Sequence, residues 1–101
     1  MNAVNWAEVV TRVAEHRGLG AATINEDLQA RGLPGQLIDI VPVTQSDAVR
    51  IAELRPLTRH LGLSLADRAC LATAIDLNAP AVTADRAWAT LSLGIRITVI
   101  R

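Results

Sequence analysis

Half of this 101-residue chain is apolar, yet it contains no Phe or Tyr and only two Trp, Trp6 and Trp88. Its core has to be assembled from Leu, Ile, Val and Ala, and side chains of that bulk suit helices packed on short β-branched strands. Residues 1–101 read as one domain, near the lower end of the sizes at which a single core is comfortably stable. No linker or second domain fits.

Ten acidic residues balance ten basic ones, so net charge steers the chain neither toward nor away from a polyanion. A nucleic-acid function would have to rest on local clustering. All ten cations are Arg, which binds phosphate through two donors where Lys acts as a point charge, although genomic base composition alone accounts for such a bias. The single Cys, Cys70, sits in an apolar helical pattern and reads as a small core residue, which places the chain in a reducing cytoplasm. No apolar run reaches the roughly 18 residues of a membrane span, and the N-terminus lacks a basic region followed by an apolar one. The expectation is a soluble, unexported protein.

Apolar spacing predicts a first helix from Val4 to Arg17, with Trp6, Val9, Val10 and Val13 on one stripe, Glu8 off it, and Gly18 and Gly20 as stops. Thr23-Ile24-Asn25-Glu26 is a capping-box pattern for a second, short helix. Leu37 to Val43 reads as a buried strand ending near Pro42. Ser46 is the expected cap of a helix that Pro56 bends or stops. Ser64 opens a helix to Asn78; Ala81 to Thr83 is a short strand, Asp85 to Leu93 a helix, and Ile95 to Ile100 a final strand. Strands alternating with helices predict an α/β fold, a parallel sheet flanked by helices on both faces.

Two stretches carry a family likeness: Leu63-Ser64-Leu65-Ala66-Asp67-Arg68-Ala69-Cys70-Leu71-Ala72 and Pro80-Ala81-Val82-Thr83-Ala84-Asp85-Arg86-Ala87-Trp88. Both resemble signature segments of PIN-domain ribonucleases, most closely the VapC toxins of bacterial toxin–antitoxin pairs, and place the family's third and fourth active-site acids on Asp67 and Asp85. Ala3-Val4-Asn5-Trp6-Ala7-Glu8-Val9 resembles the segment of the second acid, Glu8, and Thr83 matches the small hydroxyl residue that precedes the last acid. The family opens with a strand ending in Asp-x-Ser, its first acid, and Met1 begins almost on top of the Glu8 segment. The resemblance therefore implies a PIN-like domain truncated at its N-terminus. Two origins fit: a start placed too far downstream of a longer chain, which is favoured, or a natural chain that has lost the segment.

The resemblance implies an endoribonuclease of a type II toxin–antitoxin system that hydrolyses RNA phosphodiesters with Mg²⁺ or Mn²⁺ held by Glu8, Asp67 and Asp85. Arg68 and Arg86 are the phosphate contacts it suggests, a cognate antitoxin is the implied partner, and a homodimer is expected because removal of a central strand exposes backbone edges. Activity is in doubt with one acid absent. The alternative is a non-catalytic remnant that acts in self-association or antitoxin binding.

Each residue also has a plainer reading. Asp67, three residues after Ser64, completes a capping box; Asp85 is a good N-cap; Glu8 can pair with Arg12 one helical turn on. Arg68 and Arg86 can equally be ordinary surface arginines. There is no zinc spacing, nucleophile elbow or glycine-rich phosphate loop, and no exposed aromatic run for base stacking.

Overall fold

The computed structural model describes residues 1–35 and 37–100. Its chain divides into two compact units, Met1–Val43 and Thr44–Arg101.

In the first unit, α1 spans Ala3–Arg17. Asn2 caps it, its side-chain oxygen accepting the Asn5 amide at 2.9 Å, and Gly18 ends it in the left-handed conformation (φ 67°), where a side chain would be strained. α2 spans Ala21–Ala30 and begins two residues before the expected capping box. Gly20 is already extended and serves as the N-cap, so the helix formers Ala21 and Ala22 join the first turn and Thr23 falls inside it. The Trp6 indole N–H donates to Asn25 Oδ1 at 3.0 Å and ties α1 to α2, with Ile24 and Val10 buried.

Leu37 to Val43 is not the buried strand expected of it. Only an isolated parallel bridge, Asn2 to Val41, forms, held by the Ala3 amide on the Val41 carbonyl at 3.0 Å and the Val41 amide on the Met1 carbonyl at 2.9 Å. The reason is local: Asn2 is the cap of α1, so the partner strand ends before a ladder can grow. Leu37 is left 75% exposed.

The second unit opens with α3, Gln45–Thr58. Thr44, not Ser46, is its cap. Thr44 has an Asp three residues on, and both bonds of the box form: the Thr44 amide donates to Asp47 Oδ2 at 2.9 Å, and the Asp47 amide to Thr44 Oγ1 at 3.2 Å. Ser46 has Val49 at that spacing and cannot reciprocate. Pro56 deprives the Ala52 carbonyl of its usual partner, yet the helix continues to Thr58, whose hydroxyl donates to the Leu54 carbonyl at 2.8 Å. A short 3-10 turn, Arg59–Leu61, and Gly62 then reverse the chain.

α4, Leu65–Asp76, starts with a second capping box between Ser64 and Asp67 and buries Ala69, Leu71, Ala72 and Ala74 while packing on α3. β1, Ala81–Thr83, and β2, Ile97–Val99, form a two-stranded parallel sheet in the register Ala81 to Ile97. Ala81 is buried, whereas Val82 on the opposite face is 55% exposed. Between the strands, the predicted helix from Asp85 to Leu93 is only a 3-10 turn, Arg86–Thr90. A five-residue element anchored by the single buried side chain of Trp88 gains too little to nucleate an α-helix. The result is helix-rich α/β architecture with a small parallel sheet, and no described helix is long and apolar enough to cross a membrane.

A carboxyl pair closes the α3–α4 contact. The Thr44 amide and then the Asp76 carboxyl hold Asp47 below the usual carboxylate range, while the hydrogen bond to Asp47 and some burial raise Asp76 above it. Arg50 stands 3.7 Å from Asp76.

Two outcomes test this packing. Leu71 is wholly buried, so Leu71→Ala should cost about 2–5 kcal/mol in urea unfolding. For the pair, the stabilisation from Asp47 is present above the ordinary carboxylate value and is lost as pH falls through its lowered one. That from Asp76 is present in acid and is lost as pH rises through its raised one. Asp76→Asn supplies the donor permanently and removes an anion from a helix C-terminus, so the variant's urea midpoint should exceed the parent's at pH 7 and approach it as pH falls through the raised Asp76 value. A lower midpoint for the variant at pH 7 would show that the Arg50 ion pair dominates.

Candidate active site

The residues singled out in the second unit sit at two helix starts. At the carboxyl end of β1, Thr83 is half-buried and its hydroxyl accepts the Asp85 amide at 3.0 Å. That bond shapes the turn that carries Asp85. The Asp85 carboxylate is exposed, with Oδ1 accepting the Ala87 amide at 2.9 Å as the cap of the 3-10 turn. Arg86, next to it, is exposed. The end of a parallel strand is where open α/β sheets gather ligands, because backbone amides of the following turn point outward there.

Asp67 is half-buried in the first turn of α4. Its Oδ2 accepts the Ser64 amide at 3.2 Å and its own amide donates to Ser64 Oγ at 3.1 Å, so the carboxylate is oriented by the cap while Oδ1 is outside that box. Negative charge is favoured at this end of a helix. Arg68 is half-buried too; Nη1 donates to the Ile51 carbonyl of α3 at 3.0 Å, and Nε is shielded from solvent with no partner among the described residues. Nearby Cys70 has its thiol pushed up by burial and further by the charge of Asp67, which favours its protonated form.

Glu8 lies in the first unit, exposed on α1, with its carboxylate 3.8 Å from Arg12 in the i, i+4 pairing. Among the described residues no group of three or more His, Cys, Asp or Glu side chains is placed to hold a metal ion. Glu8, Asp67 and Asp85 are oxygen donors, the chemistry a hard divalent cation takes.

Three features escaped the sequence reading. The Thr44–Asp47 capping box had a local signal in its spacing; the Asp47–Asp76 contact and the Arg68–Ile51 bond had none, since each joins residues far apart in the chain. The second unit also holds a groove of about 320 Å³ lined by Arg50, Glu53, Leu54, Leu57, Ile75, Ser92 and Leu93. None of the three acids lines it.

The family model of the PIN domain matches residues 1–92. Neither a curated protein nor a solved structure matches the chain. The matched span takes in Glu8, Asp67, Thr83 and Asp85 and ends before β2, and on that match the chain belongs to the PIN domain family.

Proposed function

We propose that this chain belongs to a Mg²⁺- or Mn²⁺-dependent endoribonuclease of the toxin type, acting on RNA phosphodiesters through Asp67, Asp85 and Glu8. Membership of the PIN family indicates a nuclease, and PIN domains generally work with divalent metal ions. The observation that best supports a role for these particular residues is the turn after β1. Thr83 and the Ala87 amide hold Asp85 at the carboxyl end of a parallel strand, with exposed Arg86 beside it.

What the chain's own groups contribute is orientation and charge. The Asp85 and Asp67 carboxylates are each held by backbone amides at a helix start, so little side-chain freedom is left to lose when they engage a ligand. Arg86 is free in direction to meet a phosphate through two donors. The proposed partners are an antitoxin and a second copy of the chain, since a two-stranded sheet leaves strand edges to be covered.

A second reading, a non-catalytic PIN domain acting in association, draws on the α3 groove, which offers Leu54, Leu57, Ile75 and Leu93 to an apolar partner.

Cleavage of a synthetic RNA with Mn²⁺ separates the two. The nuclease reading expects slow cutting that stops with EDTA and with Asp85→Asn. Asn caps as well as Asp, so that variant should melt like the parent, whereas Asp85→Ala should lose about 1 kcal/mol with the cap. Metal-dependent cutting that survives Asp85→Asn would sink the assignment of Asp85, and no cutting by the folded chain would favour the association reading. In light scattering after size exclusion, the proposed homodimer should have twice the chain mass of 10.8 kDa, and a monomer at high micromolar concentration would exclude it.

A further inference from the structure

We propose that Arg68 is a positioning residue: by tying the first turn of α4 to the Ile51 carbonyl of α3, it sets the rotation of α4 and with it the direction of Asp67. The inference rests on the reading of Asp67 as a site residue, and it replaces the phosphate contact that the motif suggests for Arg68.

One edge of the guanidinium is turned inward. Nη1 donates to Ile51 at 3.0 Å, and Nε is enclosed without a partner among the described residues. With Nη1 committed to Ile51 and Nε enclosed, only the outer edge of the Arg68 guanidinium is left for a phosphate, whereas Arg86 is exposed.

Helix geometry connects this tie to Asp67. Successive residues of an α-helix stand about 100° apart around its axis, so a pin at Arg68 also fixes the azimuth of the residue before it. The remaining packing of α4 leaves that azimuth weakly specified. Its buried residues are Ala69, Leu71, Ala72 and Ala74, and three of the four present only a methyl group. Shallow ridges of that sort interlock poorly with the grooves of a neighbouring helix and let it roll. The carbonyl that receives the bond adjoins Ala52, where Pro56 interrupts the α3 ladder, so the tie also braces the turn of α3 that is most open to distortion. The capping box then carries the setting to the carboxylate, because Asp67 Oδ2 is held on the Ser64 amide.

The test uses the full chain with Arg68→Met, Arg68→Lys, Arg86→Ala and Asp67→Asn. Met keeps the length of the stem and removes the unpaired Nε along with the tie, so global stability should change little. Amide exchange of Ser64 and Asp67 should nevertheless quicken severalfold in Arg68→Met relative to Leu71 and Ala72, because the first turn opens locally while the core exchanges with global unfolding. Arg68→Lys, which keeps one donor, should restore part of the protection, and it carries the same readout if the Met variant does not fold. Binding of a mixed-sequence single-stranded RNA should keep its salt dependence in Arg68→Met and lose about 0.7 from the log–log slope in Arg86→Ala.

The proposal is overturned if Arg68→Met leaves Ser64 and Asp67 exchange unchanged while lowering the salt slope by about 0.7, which marks a phosphate contact. Uniformly faster exchange along α4 also overturns it, in favour of plain stabilisation. If Asp67→Asn leaves both RNA cleavage and binding untouched, the premise about Asp67 fails, and the exchange pattern shows that separately from any failure of Arg68.

Discussion

The start of α4 is the point on which the second unit depends. Ser64 and Asp67 satisfy each other's amides there, Arg68 reaches across to α3, and the buried face of Ala69, Leu71, Ala72 and Ala74 follows at once. A helix that packs largely through alanine can lie close to its neighbour but gains little area per residue, so its end groups and cross-ties take on more of the task of defining one arrangement. The composition leads to that outcome: without Phe or Tyr, few side chains are large enough to lock two elements by shape alone. Trp88 under the 3-10 turn and Trp6 on α1 are the two exceptions, and Trp6 is held by a hydrogen bond as well as by packing.

Capping and chemistry draw on the same carboxylates. Asp67 and Asp85 both accept backbone amides at the start of a helical turn, an arrangement that any soluble protein can use for stability alone. The same geometry points an acid outward in a fixed direction with its charge favoured by the helix, which is also what a hydrolytic site asks of it. Stability and site are therefore not rival explanations for these residues, and they can be separated only by substitutions such as Asp to Asn that keep the cap and change the charge. Asp47 shows the limit of the argument: it occupies an equally well-formed box at α3, and its other partner is a second carboxyl group, Asp76.

Local sequence was most informative where a structural element is decided within a few residues. α1, the Ser64 cap of α4 and the three residues of β1 stand close to where spacing and caps put them. The motif segments likewise led to the PIN family. The misreadings arose where two local signals competed or where a partner was needed. Thr44 outcompeted Ser46 because it had an acid at the right distance, and Gly20 opened α2 ahead of the Thr23 pattern. Leu37 to Val43 had strand composition but only a two-residue neighbour to pair with.

What the sequence determined by itself is thus the list of elements that close their own hydrogen bonds, together with the acids that begin them. Tertiary structure alone decided the rest: that the Arg68 guanidinium turns inward to Ile51, that Asp47 meets Asp76, and that β1 takes β2 as its parallel partner. The physical reason is range. A cap or a helical stripe is specified by residues three or four apart, whereas a side-chain tie between helices or a parallel ladder is specified by groups whose separation in the chain says nothing about their separation in space.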